Sequence, residues 1–464
     1  MFLIYAVKQK IVVLYQLSEF FALRVIKSRA FRAYKTIRGT MTRLNCAAVY
    51  SLFTALFFMP FLARAQVEID IPAAKQQAVQ KIAVVPVQGD SAQEMDYIIS
   101  SDLHKSGLFQ PIAPNRLPGR PTEPSQIDYS AFAGIGANYV VLGRMLGGGQ
   151  AQFVLSQVNN QNIVFNERIS GGDKRAVAHR AADLILYYLT GKKGVFSTKI
   201  AFVLEQGGGT SRRYSLIVAD IDGANRRTIA SSNEPILSPA WSPDGSQIAY
   251  MTYANHHAQI VVTSASGGGG RVVVQSETTS SAPAWSPDGS QLAVALADKQ
   301  GNTDIYLVSA GGGGKKRLTD HPAIDTEPVF SPDGGSIYFT SDRGGSPQIY
   351  KVSRSGGAAQ RAVVGGKFSA NASLSPDGKY MALTRQSGGG YQIGLYALQG
   401  GSFTALTNGR LDEGASFAPN GEFIIYGSRE GGKRVLKMVN LKGEVVQTLS
   451  DSSGKLRDPA WSPK

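Results

Sequence analysis

One phrase of seven residues dominates the second half of the chain. It stands as Pro239-Ala-Trp-Ser-Pro-Asp-Gly245, Pro283-Ala-Trp-Ser-Pro-Asp-Gly289, Pro328-Val-Phe-Ser-Pro-Asp-Gly334, Ala372-Ser-Leu-Ser-Pro-Asp-Gly378 and Ala415-Ser-Phe-Ala-Pro-Asn-Gly421. A sixth copy, Pro459-Ala-Trp-Ser-Pro463, runs into the C-terminus. The turn prolines at 243, 287, 332, 376, 419 and 463 are separated by 44, 45, 44, 43 and 44 residues. Strand-like runs from Ile248, Leu292, Ile337, Met381 and Ile424, and glycine turns at 223, 267, 311, 356, 400 and 443, keep the same step. A fixed period in this range marks a repeat architecture.

Each period holds four strand signals; in the second copy they are Pro283–Ser286, Gln291–Ala297, Asp304–Ser309 and Lys316–Thr319. Ser-Pro-Asp-Gly suits the first turn, because proline pre-sets φ and glycine takes the left-handed position. The glycines at 311–314 suit the hairpin between strands three and four. Four antiparallel strands per 40–50 residues make a propeller blade. The large apolar residue of each copy (Trp241, Trp285, Phe330, Leu374, Phe417, Trp461) is expected between neighbouring blades. Ile200-Ala-Phe-Val-Leu204 looks like a second strand with no first, and Trp461-Ser-Pro463 like a first strand with no second. The two halves complete one blade, which gives six blades and a ring with no open edge.

The N-terminal third lacks the period. From Met41 the chain runs through a short basic start and seventeen uncharged residues, Cys46–Leu62, to Ala63-Arg64-Ala65. That is the form of a secretory signal cleaved after Ala65, with Met41 as the initiator and residues 1–40 as an upstream extension. Cys46 is the only cysteine and precedes the apolar run, which excludes lipoprotein processing, disulfides and cysteine-rich metal sites. The formal charge of +14 is concentrated in residues 1–65, which carry ten basic residues against Glu19; the remainder is only mildly basic and has no stripe for nucleic acid. Residues 66–192 read as a small α/β (α+β) domain with an N-terminal arm at 66–72, where alternating Val67-Glu-Ile-Asp-Ile71 reads as a first strand or as a free arm that adds to a partner's sheet edge. Its expected elements are a strand at Lys81–Val87, a helix Ala92–Ser106 capped by Ser91, extended Phe109–Ala113, helical Ile127–Gly136, strands Asn138–Met145, Gln152–Gln157 and Ile163–Ile169, and a helix Lys174–Leu189 capped by Asp173. Gly191–Ser197 is the linker, and 198–464 is the all-β six-bladed β-propeller.

No catalytic constellation emerges. Gly414-Ala-Ser416 and Gly89-Asp-Ser91 fail as nucleophile elbows, and Gly311–Lys316 fails as a phosphate loop. Asp220-Ile-Asp222-Gly has the start of a calcium loop but sits on a repeated hairpin turn. His104 and His179 fall on helices, and His256-His257 in a blade loop has no third metal ligand nearby. No hydrolase domain is fused to the ring. Tyr253 and the acidic loops are the sole candidates for binding polysaccharide. The expectation is a protein that is not an enzyme and requires no cofactor.

The ring offers instead a rim. The loops entering the first strands place Glu234, Thr279, Ser280, Ser281, Ala282, Asp325, Thr326, Glu327, Asn371, Asp412, Glu413 and Asp458 around the channel mouth. Carboxylates of Glu234, Asp325, Glu327, Asp412, Glu413 and Asp458 are expected to converge there and to attract basic side chains or hold a cation such as calcium.

An exported α/β domain before six such repeats resembles the TolB family of the periplasmic Tol-Pal system. Phe339-Thr-Ser-Asp-Arg-Gly-Gly-Ser-Pro-Gln-Ile-Tyr-Lys-Val352, Asp325-Thr-Glu-Pro328, Lys81-Ile-Ala-Val-Val-Pro-Val87 and Leu189-Thr-Gly-Lys192 are similar to that family's stretches. The resemblance covers roughly residues 67–464. It implies a monomeric periplasmic adaptor that binds the lipoprotein Pal through the channel mouth, at the rim residues just named. It implies that TolA is engaged through the arm Val67, Glu68, Ile69, Asp70 and Ile71, in support of outer-membrane constriction at division and envelope integrity. It further implies that colicins and outer-membrane proteins can use the propeller face. The 1–40 extension does not look like family sequence.

Overall fold

The computed structural model describes residues 79–464, leaving 255–256 and 277–279 undescribed. The signal and extension in residues 1–65, the arm Val67–Ile71, His256 and Thr279 lie outside the described residues. No helix among the described residues is long and apolar enough to cross a membrane.

The N-terminal part is built from β1 (Gln80–Val84), α1 (Glu94–Lys105), β2 (Phe109–Pro111), α2 (Tyr129–Gly134), β3 (Tyr139–Gly147), β4 (Gln150–Gln157), β5 (Ile163–Ser170) and α3 (Lys174–Thr190). The sheet order is β2-β1-β3-β4-β5, with β1 parallel to both neighbours and the rest antiparallel. Strand alternation sorts β1 onto two faces. Ile82 and Val84 pack with Met95, Ile99, Val177 and Ile185 of α1 and α3, while Ala83 joins Phe132, Val140 and Leu142 on the other side. The helix expected from Ala92 starts two residues later, and Ser91 is not its cap. Gln93 turns left-handed (φ 51°), so Asp90 Oδ2 accepts the first N–H groups, from Glu94 and Met95, at 2.9 Å each. Asp173 caps α3 as expected, accepting from Ala176 N at 2.7 Å.

Six four-stranded sheets follow, one per period. Blades 1–5 begin at Ile236, Ser280, Asp325, Ser369 and Glu413. Blade 6 joins both ends of the ring: the closing strand Gly454–Trp461 pairs with β6 (Lys199–Gln206), followed by β7 (Arg213–Asp220) and β8 (Arg227–Ser232). Tryptophans stitch the blades together, as the repeat implied. Trp285 Nε1 donates to Ala240 O (3.0 Å) and Trp241 Nε1 to Ala460 O (3.1 Å), each in the neighbouring blade, while Trp461 stacks on Phe423 of blade 5 and its Nε1 bonds within blade 6, to Thr198 Oγ1 (2.7 Å).

The Ser-Pro-Asp-Gly turns are closed by side chains. Ser286 Oγ donates to Asp288 (2.6 Å) and accepts from Gln291 N (3.0 Å), and Asp288 also accepts from Ser290 N (2.8 Å). The Ser242–Asp244, Ser331–Asp333 and Ser375–Asp377 turns repeat the pattern. The fifth turn departs from it. Asn420, where the other turns have Asp, donates its amide to Lys193 O (3.1 Å) in the linker, a bond that a carboxylate cannot make.

Trp461 is 5% exposed, so Trp461→Ala should cost about 3–5 kcal/mol in unfolding. Deleting Asp458–Lys464 should lower the melting temperature of the whole ring; an unchanged melting curve contradicts closure. The hydroxyl of Ser242 and the N–H of Ser246 hold Asp244 down from 3.8 to about 2, and the Ser286 and Ser331 hydroxyls depress Asp288 and Asp333. A carboxylate depressed by folding stabilises above its unfolded pKa and loses that contribution as pH falls through the folded value. The melting temperature should therefore fall as pH drops from about 4 toward about 2, and a triple Asp→Asn variant at 244, 288 and 333 should show a smaller fall.

Candidate functional site

Each inner strand carries a bulge, and at each bulge one residue has positive φ. They are Ser238 (49°), Ala282 (49°), Glu327 (53°), Asn371 (55°), Gly414 (68°) and Asp458 (48°). The register of the inner strand shifts at the same place in every blade. Five of the six are not glycine, and such a conformation costs roughly 1–3 kcal/mol per residue. The six residues line one channel of about 620 Å³ that runs on to the turn prolines. Successive blades are joined there: Glu327 accepts from Asn371 N (2.8 Å) and Asn371 Nδ2 (3.1 Å), and Asp458 from Ser238 N (3.3 Å).

The expected convergence of six carboxylates is not what the structure shows. Glu327 and Asp458 line the channel, in blades 3 and 6, three places apart around the ring. Asp325 is fully buried and takes two bonds from Arg343 Nη2 (3.0 and 2.7 Å), whose guanidinium lies over Tyr350 at 4.9 Å. Asp412 is buried on a separate cleft of about 460 Å³, bonded to Ser428 Oγ (2.6 Å) and Gly409 N (3.0 Å). Glu413 pairs with Arg434, and Glu234 is exposed. Partners within the same blade hold Asp325 and Asp412 away from the channel, a pairing that loop composition does not reveal, while Glu413 on Arg434 still acts on the charge of Asp458. Desolvation in the wall pushes the Asp458 carboxyl up. Ser280 and Ser281 begin the inner strand of blade 2, pairing with Leu296 and Ala295; Thr326 pairs with Thr340 in blade 3.

The opposite rim holds the N-terminal part. Lys192 Nζ meets Glu422 (2.9 Å) beside the fifth turn, and Asn420 holds the linker. The turn after β7 brings Asp220 and Asp222 to α3, where Arg175 pairs with Asp222. Turns between third and fourth strands lie on the same rim as the Ser-Pro-Asp-Gly turns, so this docking leaves the entry-loop rim on the other side. Linker and helix are tied as well: Asp183 accepts from Phe196 N (2.8 Å) and Ser197 N (3.0 Å). A Cβ at Gly194 would lie 2.0 Å from the Asp183 carboxylate. Sequence reasoning singled out the Asp220-Ile-Asp222 phrase but not its use. The signal was present: the other copies of this turn have no acidic pair before the glycine.

Among the described residues, one His–Asp–Asp set has atoms close enough to share an ion: His179, Asp220 and Asp222, within 4.8 Å of one another. Arg175 and Lys199 already neutralise the two carboxylates, so the set is an ion-paired junction.

A closed propeller with a strained channel ring on one rim and a small α/β domain on the other defines a binding scaffold. The comparisons make this specific. Residues 187–464 match the TolB beta propeller domain and residues 67–164 the TolB amino-terminal domain. A crystal structure of TolB from Acinetobacter baumannii is similar at a TM-score of 0.77 and 36% identity, over 83% of this chain and 97% of that one. Tol-Pal system protein TolB of Methylococcus capsulatus is 42% identical over 213 residues, 44% of this chain and 50% of that protein. The same protein of Thioalkalivibrio sulfidiphilus is 39% identical over 223 residues, 46% and 51%. The matched region thus spans about half the length of these curated relatives. The chain belongs to the TolB family. With the family it is a periplasmic propeller protein and not an enzyme.

The rim geometry separates two kinds of acidic residue. Asp325→Ala strands Arg343 and should cost about 3–5 kcal/mol in unfolding, whereas Glu234→Ala should stay within about 0.5 kcal/mol. Denaturant melts of both variants check this.

Proposed function

We propose that the protein is a non-enzymatic adaptor of the Tol-Pal system that holds the lipoprotein Pal at the entry-loop rim of the channel and engages TolA through the arm at residues 67–71. Relatives that carry the name Tol-Pal system protein TolB support the reading. The observation that carries it to a surface is the division of the ring's two faces. The N-terminal part takes the Ser-Pro-Asp-Gly rim at blades 5 and 6, and the bulge residues lie along the channel toward the other rim. Strained backbone persists where surrounding structure over-determines it, and such sites cluster at ligand clamps. The contact set is Glu234, Ser280, Ser281, Ala282, Thr326, Glu327, Asn371 and Asp458; Thr279, outside the described residues, is included from the sequence alone. Asp325, Asp412 and Glu413 shape these loops through internal pairs. No cofactor is invoked. The adaptor supports outer-membrane constriction at division.

Titration calorimetry with soluble Pal tests this. Glu234→Lys combined with Ala282→Arg should weaken binding at least tenfold, a change of about 1.4 kcal/mol, without moving the melting temperature. Lys379→Glu, on the opposite rim, should bind as wild type. Removing residues 66–72 should abolish TolA binding and spare Pal. Wild-type Pal affinity in the double rim variant refutes the assigned face, and no affinity of the wild-type protein for Pal refutes the adaptor reading.

A further inference from the structure

Where α3 meets blade 6, charged side chains are packed away from water. Arg175, His179 and Asp183 recur every four residues and share one face of α3. Asp102 of α1, fully buried, meets His179 Nδ1 at 2.5 Å and Lys105 at 3.2 Å. Arg175 reaches Glu94 of α1 at 2.5 Å, pairs with Asp222 and lies 3.9 Å from Asp220. Lys199 of β6 pairs with Asp220. At the edges, Lys174 holds Asp90 (2.9 Å), Asn225 reaches Asp173 (3.3 Å), and Asp183 accepts from the linker amides.

His179 is 1% exposed, and its Nε2 has no hydrogen-bond partner. That nitrogen lies 3.8 Å from Asp222 Oδ2. A neutral imidazole that donates from Nδ1 to Asp102 turns a lone pair toward a carboxylate, so two buried acceptors face each other. A second proton makes Nε2 a donor. It also corrects the charge: Asp102, Glu94, Asp220 and Asp222 face only Lys105, Arg175 and Lys199, with Asp183 adding a further acid one turn away.

We propose that His179 is a proton-operated clasp between the N-terminal domain and the propeller: as an imidazolium it joins Asp102 of α1 to Asp222 of the blade 6 turn, and loss of the proton loosens the junction. The clasp is independent of what the far rim binds. Burial alone pushes the imidazole down, but the hydrogen bond and charge of Asp102, with the charges of Asp222 and Asp220, outweigh it and hold the group above 6.5. A histidine raised by folding stabilises fully below its unfolded pKa and loses that contribution as pH rises through the folded value. Two fixed cations already sit on the carboxylates, which favours a proton over a metal ion as the switching species.

The test is a pH series on the intact protein. The His179 ring proton, followed by NMR, should titrate above about 6.5. Exchange of the Phe196 and Ser197 amides, corrected for intrinsic rates, should speed up between about pH 6 and pH 8, by up to tenfold for each unit by which His179 is raised. His179→Gln should remove the pH dependence. Asp222→Asn, which leaves His179 and Asp102 in place, should lower the titration midpoint. Added Zn2+ or chelator should change neither readout. A midpoint below 6.5, exchange that ignores pH, an unchanged pH slope in His179→Gln, or Zn2+ protection that needs His179 would overturn the clasp.

Discussion

The pairing of the closing strand with β6 is the contact on which the rest of the structure depends. Gly454–Trp461 lies against a strand some 250 residues earlier in sequence, with Trp461 opposite Ile200 and bonded to Thr198. Without that pairing, blade 6 is a three-stranded sheet and the ring has two edges. The same strand supplies Asp458 to the channel wall and packs Trp461 against Phe423 near the domain junction. Closure, channel and docking therefore share one strand.

The two rims divide the work. On one, small departures from the repeat are spent on docking: Asn in place of Asp at 420, an acidic pair at 220 and 222, and Glu422 beside the fifth turn. On the other, the repeat itself produces the feature that matters, a left-handed residue at the same bulge in all six blades. Because those residues differ in chemistry but share a backbone, the ring presents a varied set of side chains from a rigid frame. This suits recognition of one shaped partner better than catalysis, which needs a few groups brought to one point.

Much of this was legible in the chain. Blade number, closure by the last strand, the inter-blade role of the tryptophans and the elements around β3 to α3 follow from periodicity and turn chemistry, which are local. Ser91 failed as a cap because Gln93 adopts a left-handed turn, a tertiary choice that leaves no mark in composition. The rim carboxylates misled for a related reason: Asp325 and Asp412 look like loop charges until Arg343, from the turn after the next strand, and Ser428, from the next strand, reach them. His179 was invisible as a junction residue, since its partners lie 77 residues before it and just over 40 after it. Local pattern specifies the frame, and charge pairing across the frame decides which polar residues remain for function.

The central claim is that the partner surface is the rim away from the N-terminal domain. Hydrogen-exchange footprinting of the protein with and without Pal addresses it directly. Slowed exchange is predicted in the entry loops and bulges around residues 233–239, 280–284, 325–329, 369–373, 411–416 and 456–460, with the Ser-Pro-Asp-Gly turns unchanged. Protection confined to those turns, or to the outer strands of the blades, would contradict the account.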